Sequence, residues 1–173
     1  MPFWILLLLL VLTPGSPARE TAADRRASIV YNLSKFVVWP PEADGEAEEI
    51  CTFCLLGEDP IALELDRWCN SVDGERNGEF RRIDGPEGIP GCHVLFVSTG
   101  KGSRLPDLME RLARQPVFTV SDIPGFARMG GMVEILSATD RVYFQINLDA
   151  AKRAGLIIKA PLLQIARVIQ GVE

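Results

Sequence analysis

From Glu20 to Val38 the apolar positions recur at helical spacing. Ile29, Leu33, Phe36 and Val37 share one stripe, while Arg25, Arg26 and Lys35 lie off it. Trp39-Pro40-Pro41 ends that run, because proline has no amide donor and restrains the residue before it. Asp44 to Glu49 reads as an acidic surface connector. Beyond it, short apolar runs alternate with amphipathic stretches. Ile50 to Leu56 predicts a strand, Gly57-Glu58-Asp59-Pro60 a turn, and Ile61 to Trp68 a helix with Pro60 at its first turn. Phe80 to Ile83, Cys92 to Ser98 and Val117 to Ser121 read as strands, and Leu105 to Leu112 as a helix. Met132 to Leu136 and Arg141 to Ile146 form an antiparallel pair joined through Ser137 to Asp140. Asn147 or Asp149 starts a helix to Ala154, with Asn147 as the simplest N-cap. Pro161 to Ile169 reads as a last helix, with Leu162, Leu163, Ala166 and Ile169 as its core stripe.

Strands separated by helical stretches imply βαβ units and a parallel sheet covered on both faces. The predicted class is α/β: a three-layer sandwich with a mainly parallel sheet, a C-terminal antiparallel hairpin and helices on both faces. The apolar run Phe3 to Leu12, followed by Ser16-Pro17-Ala18, reads as a secretory signal peptide cleaved after Ala18. It is shorter than the about 20 residues needed to span a bilayer. Residues 1–18 are thus a signal peptide, and 19–173 a single domain of a size that supports its own core. A formal charge of −5 argues against nonspecific binding to nucleic acid or anionic lipid.

Four cysteines, Cys51, Cys54, Cys69 and Cys92, follow the export signal. In an oxidising compartment they are first read as disulfides, and sequence alone does not choose among the three pairings. Cys51-Thr52-Phe53-Cys54 is a CxxC, yet a thiol oxidoreductase needs its attacking cysteine at a helix N-terminus. Here both fall inside a strand, three apart, on opposite faces. A zinc site would bring a second CxxC knuckle, and Cys69 and Cys92 are isolated. A helix returning antiparallel to its strand brings Cys69 near Cys51, and Cys51 with Cys92 would join two strand starts.

No catalytic constellation emerges. His93, the single histidine, lacks a nucleophile or carboxylate at a useful spacing and reads as structural. Gly100-Lys101-Gly102-Ser103 is not a nucleotide P-loop, because Leu95 stands where the first glycine is needed. It follows a strand and precedes a helix, so its amides and Lys101 would suit an anion. In open α/β sheets ligands favour the crevice beyond the strands' carboxyl ends. Three such ends, Gly57 to Asp59, Ser98 to Ser103 and Ser121-Asp122 to Phe126, share one rim if the strands are parallel. Gly130-Gly131 most simply marks tight backbone geometry entering a strand. No catalytic residue, metal ligand or cofactor site is expected.

The chain resembles the YfiR-like family. The resemblance rests on Tyr31-Asn32-Leu33-Ser34-Lys35-Phe36-Val37-Val38-Trp39-Pro40, then Thr119-Val120-Ser121-Asp122, Gly130-Gly131-Met132 and Phe144-Gln145-Ile146-Asn147-Leu148, in that order and spacing. It implies a periplasmic homodimer without enzymatic activity. Such a protein holds the periplasmic domain of an inner-membrane diguanylate cyclase in its inactive state, lowering cyclic di-GMP and so restraining biofilm formation. The resemblance also implies a Cys54–Cys92 disulfide, which leaves Cys51 and Cys69 as a second pair. A further cysteine pair found in some members is absent from Ile123 to Met132. The expected ligand- or partner-binding residues are Ser121, Asp122, Phe126, Met129, Gly130, Gly131 and Lys101, with the N-terminal helix as an alternative face. The competing readings are a periplasmic small-molecule-binding sensor and an oxidoreductase with a reactive Cys51 or Cys54 thiol.

Overall fold

The computed structural model describes residues 21–41, 51–70, 78–100, 105–138 and 141–169. Helix α1 spans Ala22–Ser34, and the Thr21 hydroxyl caps it by accepting from the Asp24 amide at 3.0 Å. Strand β1 (Val37–Val38) follows, then β2 (Cys51–Leu56), α2 (Ile61–Cys69) and β3 (Gly78–Ile83). A 3₁₀ turn at Pro86–Gly88 leads to β4 (Val94–Val97), α3 (Leu105–Leu112) and β5 (Phe118–Ser121). The hairpin strands are β6 (Val133–Ala138) and β7 (Arg141–Asn147). The chain then forms α4 (Leu148–Arg153), β8 (Ile157–Ile158), α5 (Ala160–Ile165) and β9 (Arg167–Ile169).

Among the described residues seven strands form one sheet in the order β3-β2-β4-β5-β6-β7-β9. All neighbours are parallel except β6 and β7, which pair antiparallel with Val133 opposite Ile146. Side chains alternate across the sheet, so each central strand feeds two cores. On one face Phe53, Leu55, Val94, Phe96, Phe118 and Val120 pack under α1 and α2, joined by Ala150 and Ala151 of α4 and Leu162 of α5. On the other, Cys54, Leu56, Leu95 and Val97 pack against Leu105, Leu108, Met109 and Leu112 of α3, with Ile123 and Phe126 beside them. This is the expected three-layer α/β sandwich.

Four local readings change. Val37 and Val38 continue the helical stripe in sequence but leave the helix, pairing antiparallel with Ile158 and Ile157. Two β-branched residues before Trp-Pro suit an extended bridge better than a last helical turn. The last helix stops at Ile165, and Arg167–Ile169 instead add a parallel strand beside Gln145 to Asn147. The hairpin is therefore not the sheet's edge, and only Leu162 of the expected stripe is fully buried. The acidic connector at 44–49 lies outside the described residues, as does the segment 1–18 read as a signal peptide.

Candidate partner-binding loop and rim

Between β5 and β6 the chain makes no helix. Residues 122–131 lie as a compact series of turns on the α3 face of the sheet, held there by side chains of the sheet itself. Because Phe118 and Val120 face the first core, Thr119 and Ser121 must face the loop, and both are buried. The Ser121 hydroxyl donates to the Val97 carbonyl at 2.7 Å and accepts from the Ile123 amide at 3.1 Å. Thr119 Oγ1 accepts from the Met132 amide at 3.0 Å.

The hairpin supplies the remaining anchors. The buried Glu134 carboxylate accepts from the Gly125 amide at 2.8 Å and the Ala127 amide at 3.3 Å. Asn147 Nδ2 donates to the Ala127 carbonyl at 2.8 Å, while its Oδ1 accepts from the Ala150 amide at 2.9 Å and caps α4. One asparagine thus fixes the loop and starts the next helix. A carboxyl group this deep is tolerated because the loop amides replace its lost water.

Phe126 is fully buried in the second core. A loop position had suggested a ring available to a partner; instead the ring is the loop's apolar anchor. It occupies the space a Cβ on Gly131 would need, and Gly130 has φ +100, where side chains are strained. The two glycines serve backbone geometry. Pro124, Arg128 and Met129 are the loop's exposed residues, and Met129, 38% exposed, is its large apolar one. It borders a small pocket of about 290 Å³ with Met109, Gly130 and Met132, between Glu110 and Arg153.

Asp122, Phe126, Met129, Gly130 and Gly131 therefore share one loop, Ser121 ends the strand that leads into it, and Lys101 lies outside the described residues. At the loop's start Asp122 joins the rim of strand ends. Arg26 of α1 reaches across it, with Nη1 donating to Asp122 Oδ2 at 2.8 Å and Nη2 to Asp59 Oδ1 at 2.8 Å. Burial opposes the Arg26 charge, but hydrogen bonds and charge from Asp59 and then Asp122 outweigh it and raise its pKa above the ordinary value. Asp59 Oδ1 also takes the Ile61 amide at 2.9 Å, and the Ser98 hydroxyl donates to the Glu58 carbonyl at 2.8 Å. The protein's own groups thus bridge much of the crevice expected for a ligand. A larger cavity, about 780 Å³, opens between residues 84–90 and α3. Its floor is Leu56, Ile89, Leu108 and Leu112, and Asp84, Glu87, Asp107 and Arg111 line its rim.

The cysteines divide by face. Cys54 and Cys92 form a disulfide in the second core, with Cα atoms 5.9 Å apart. Cys51 and Cys69 are buried thiols of the first core. Cys69 packs on Gly78, which is paired with Cys51. Burial, then the neighbouring Cys51 and Asp66, pushes the Cys69 thiol up to about 12. That is the reverse of what an attacking thiol needs. His93 Nδ1 accepts from the Thr52 amide at 3.1 Å, and its own amide donates to the Thr52 carbonyl at 2.9 Å. The histidine is built into the β2–β4 junction. Among the described residues no group of three or more His, Cys, Asp or Glu is arranged to hold a metal, and no helix is long and apolar enough to cross a membrane.

Sequence reasoning missed Arg26 and Glu134. Each is a single charge within an otherwise ordinary amphipathic stretch. The one available signal for Glu134 was its place in β6, opposite Gln145. A protein-family model described as YfiR/HmsC-like matches residues 23–167, and the chain belongs to that family. Membership implies a regulatory, non-catalytic protein of diguanylate cyclase signalling in the periplasm.

Proposed function

We propose that this YfiR/HmsC-like protein is an exported homodimeric repressor, released from residues 1–18, that binds the periplasmic sensory domain of an inner-membrane diguanylate cyclase. It lowers cyclic di-GMP, and thereby biofilm formation, by binding the inactive conformation of its client more tightly than the active one. A partner with differential affinity shifts a population without any chemistry of its own. The observation that carries this reading is the family match, which spans the clamped loop and its anchors. The loop supports it physically. A buried polar network holds its backbone, so Met129 and the adjoining pocket are presented with little ordering cost. Methionines adapt to varied apolar surfaces. We place the client contact there, around Met129 and Gly130, with Ser121, Asp122 and Gly131 shaping it from beneath; Lys101 is kept as a further candidate from the sequence.

Deletion of the gene in its native host tests the reading. Cyclic di-GMP should rise and return to its former level with the exported form. Unchanged cyclic di-GMP under several growth conditions would overturn it.

One observation favours a second reading, a small-molecule sensor: the cavity of about 780 Å³ has the size and apolar floor of a ligand site. That reading requires a metabolite to raise the melting temperature of the purified protein.

A further inference from the structure

Strand β3 ends the seven-stranded sheet, and among the described residues it pairs only with β2. Its ladder with β2 runs unbroken through six residue pairs, Cys51 with Gly78 to Leu56 with Ile83. In a parallel ladder, alternate residues address the neighbouring strand. The Ile83 carbonyl accepts from the Gly57 amide at 3.0 Å, so Ile83, Arg81 and Glu79 turn their main-chain groups toward β2. Gly78, Phe80 and Arg82 turn theirs away from the sheet. Such an edge is a template for another strand unless proline, a bulge or unpaired charge guards it. Gly78-Glu79-Phe80-Arg81-Arg82-Ile83 has no proline and no bulge, and its charges Glu79, Arg81 and Arg82 restrict which strand can add rather than leaving the edge open to any.

The order of side chains selects the occupant. An antiparallel partner must set outward-facing residues against outward-facing residues. If the partner is a second copy, only a few registers meet that condition. With Phe80 opposite itself on the two-fold axis, Gly78 hydrogen-bonds with Arg82 of the second copy. Glu79 then falls directly opposite Arg81 of the second copy, twice by symmetry. Those are non-hydrogen-bonded positions, where side chains lie closest and opposite charges stabilise the pair. Sliding one step either way sets Arg81 against Arg81 or Glu79 against Glu79, which repel. Glu79 is exposed, and Arg81 Nε is buried without a hydrogen-bond partner among the described residues.

We infer that two copies of this chain pair through β3, antiparallel and centred on Phe80, with reciprocal Glu79–Arg81 ion pairs fixing the register. This names the surface for the dimer proposed above and rests on that reading. The pairing makes one continuous sheet and leaves loop 122–131 of each copy uncovered.

The test is the mass in solution of the exported full-length chain and two charge-reversal variants, by light scattering across a dilution series. Glu79→Arg and Arg81→Glu should each weaken dimerisation at least tenfold while keeping a wild-type circular-dichroism spectrum. Each alone sets like charges opposite one another. Mixed in equal amounts, they should recover a dimer containing one of each, because their reversed charges are complementary. Hydrogen exchange on the wild-type protein adds an independent readout. The Phe80 and Arg82 amides should be protected at high concentration and lose protection on dilution. A wild-type monomer at every concentration would overturn the dimer reading together with this interface. A dimer unaffected by either reversal, a mixture that stays monomeric, or unprotected Phe80 and Arg82 amides in the dimer would overturn the interface alone.

Discussion

The ring of Phe126 fills the space that a side chain on Gly131 would need. The pair is five residues apart and closes the loop on itself, with the Gly131 amide donating to the Phe126 carbonyl at 3.0 Å. Gly131→Ala must move the ring or the backbone. It should destabilise the protein by roughly 1–3 kcal/mol, the usual range for overpacking, read from urea unfolding.

Phe126 and Met129 lie on the same loop and should respond in opposite ways. Phe126→Ala removes a buried anchor and should cost about 3–5 kcal/mol. Met129→Lys changes a half-exposed side chain and should leave stability within about 0.5 kcal/mol. Partner capture should fall sharply for Met129→Lys, measured against the periplasmic domain of the client cyclase. A Met129→Lys protein that binds normally would move the contact off this loop.

Glu134→Gln should loosen the loop locally. The amide can accept from one of Gly125 and Ala127 but turns a donor toward the other. A buried amide left without an acceptor costs roughly 1–3 kcal/mol. Hydrogen exchange at Gly125 and Ala127 should accelerate, while amides of β2 and β4 keep their relative order of protection.

Cys54 and Cys92 are joined across a sequence separation of 38 residues. Replacing both by alanine should cost about 4 kcal/mol in the chain-entropy account. The loss should appear as a lower denaturant midpoint for the variant under non-reducing conditions. Replacing Cys51 alone should leave that disulfide intact in peptide maps.

Cys69 makes the reduced pair sensitive to alkali. Its folded pKa, about 12, stands above the ordinary thiol value of about 8.5. The contribution is fully present below about pH 8.5 and is lost as pH rises toward about 12, because the unfolded chain releases its proton first. Melting temperature should decline across that window, and less steeply in Cys69→Ala. If Cys51 and Cys69 were joined in the exported protein instead of remaining the buried thiols of this structure, this thiol contribution would disappear. Peptide maps without reductant would show the cross-link.

The layers were legible because Phe53, Leu55, Leu95 and Phe96 sit in short apolar runs between amphipathic helices. The opposite faces of Cys51 and Cys54 followed from strand period alone. Arg167 to Ile169 did not declare themselves, since three residues are too few to separate a period of two from one of 3.6. Val37 and Val38 depend on Ile157 and Ile158, a pairing no local pattern encodes. The loop residues were legible as a group but not in their roles. Gly130 and Gly131 announced tight geometry, whereas the burial of Phe126 depends on a pocket built by α3 and β4. Arg26 finds Asp59 and Asp122 across sequence separations of 33 and 96 residues. Such contacts are a product of the parallel topology, which gathers strand ends from along the chain onto one rim.

The strand order carries one more implication. From β5, which leads into the clamped loop, the sheet steps through β4 and β2 to β3. With neighbouring strands about 4.8 Å apart, pairing at β3 would set the two loops about 34 Å from each other, measured across the sheet. A two-fold axis perpendicular to the sheet would turn both toward the same side. The molecule would then work as a caliper, and a client presenting two sensory domains at that span would be gripped at both while a lone domain would be held by one jaw.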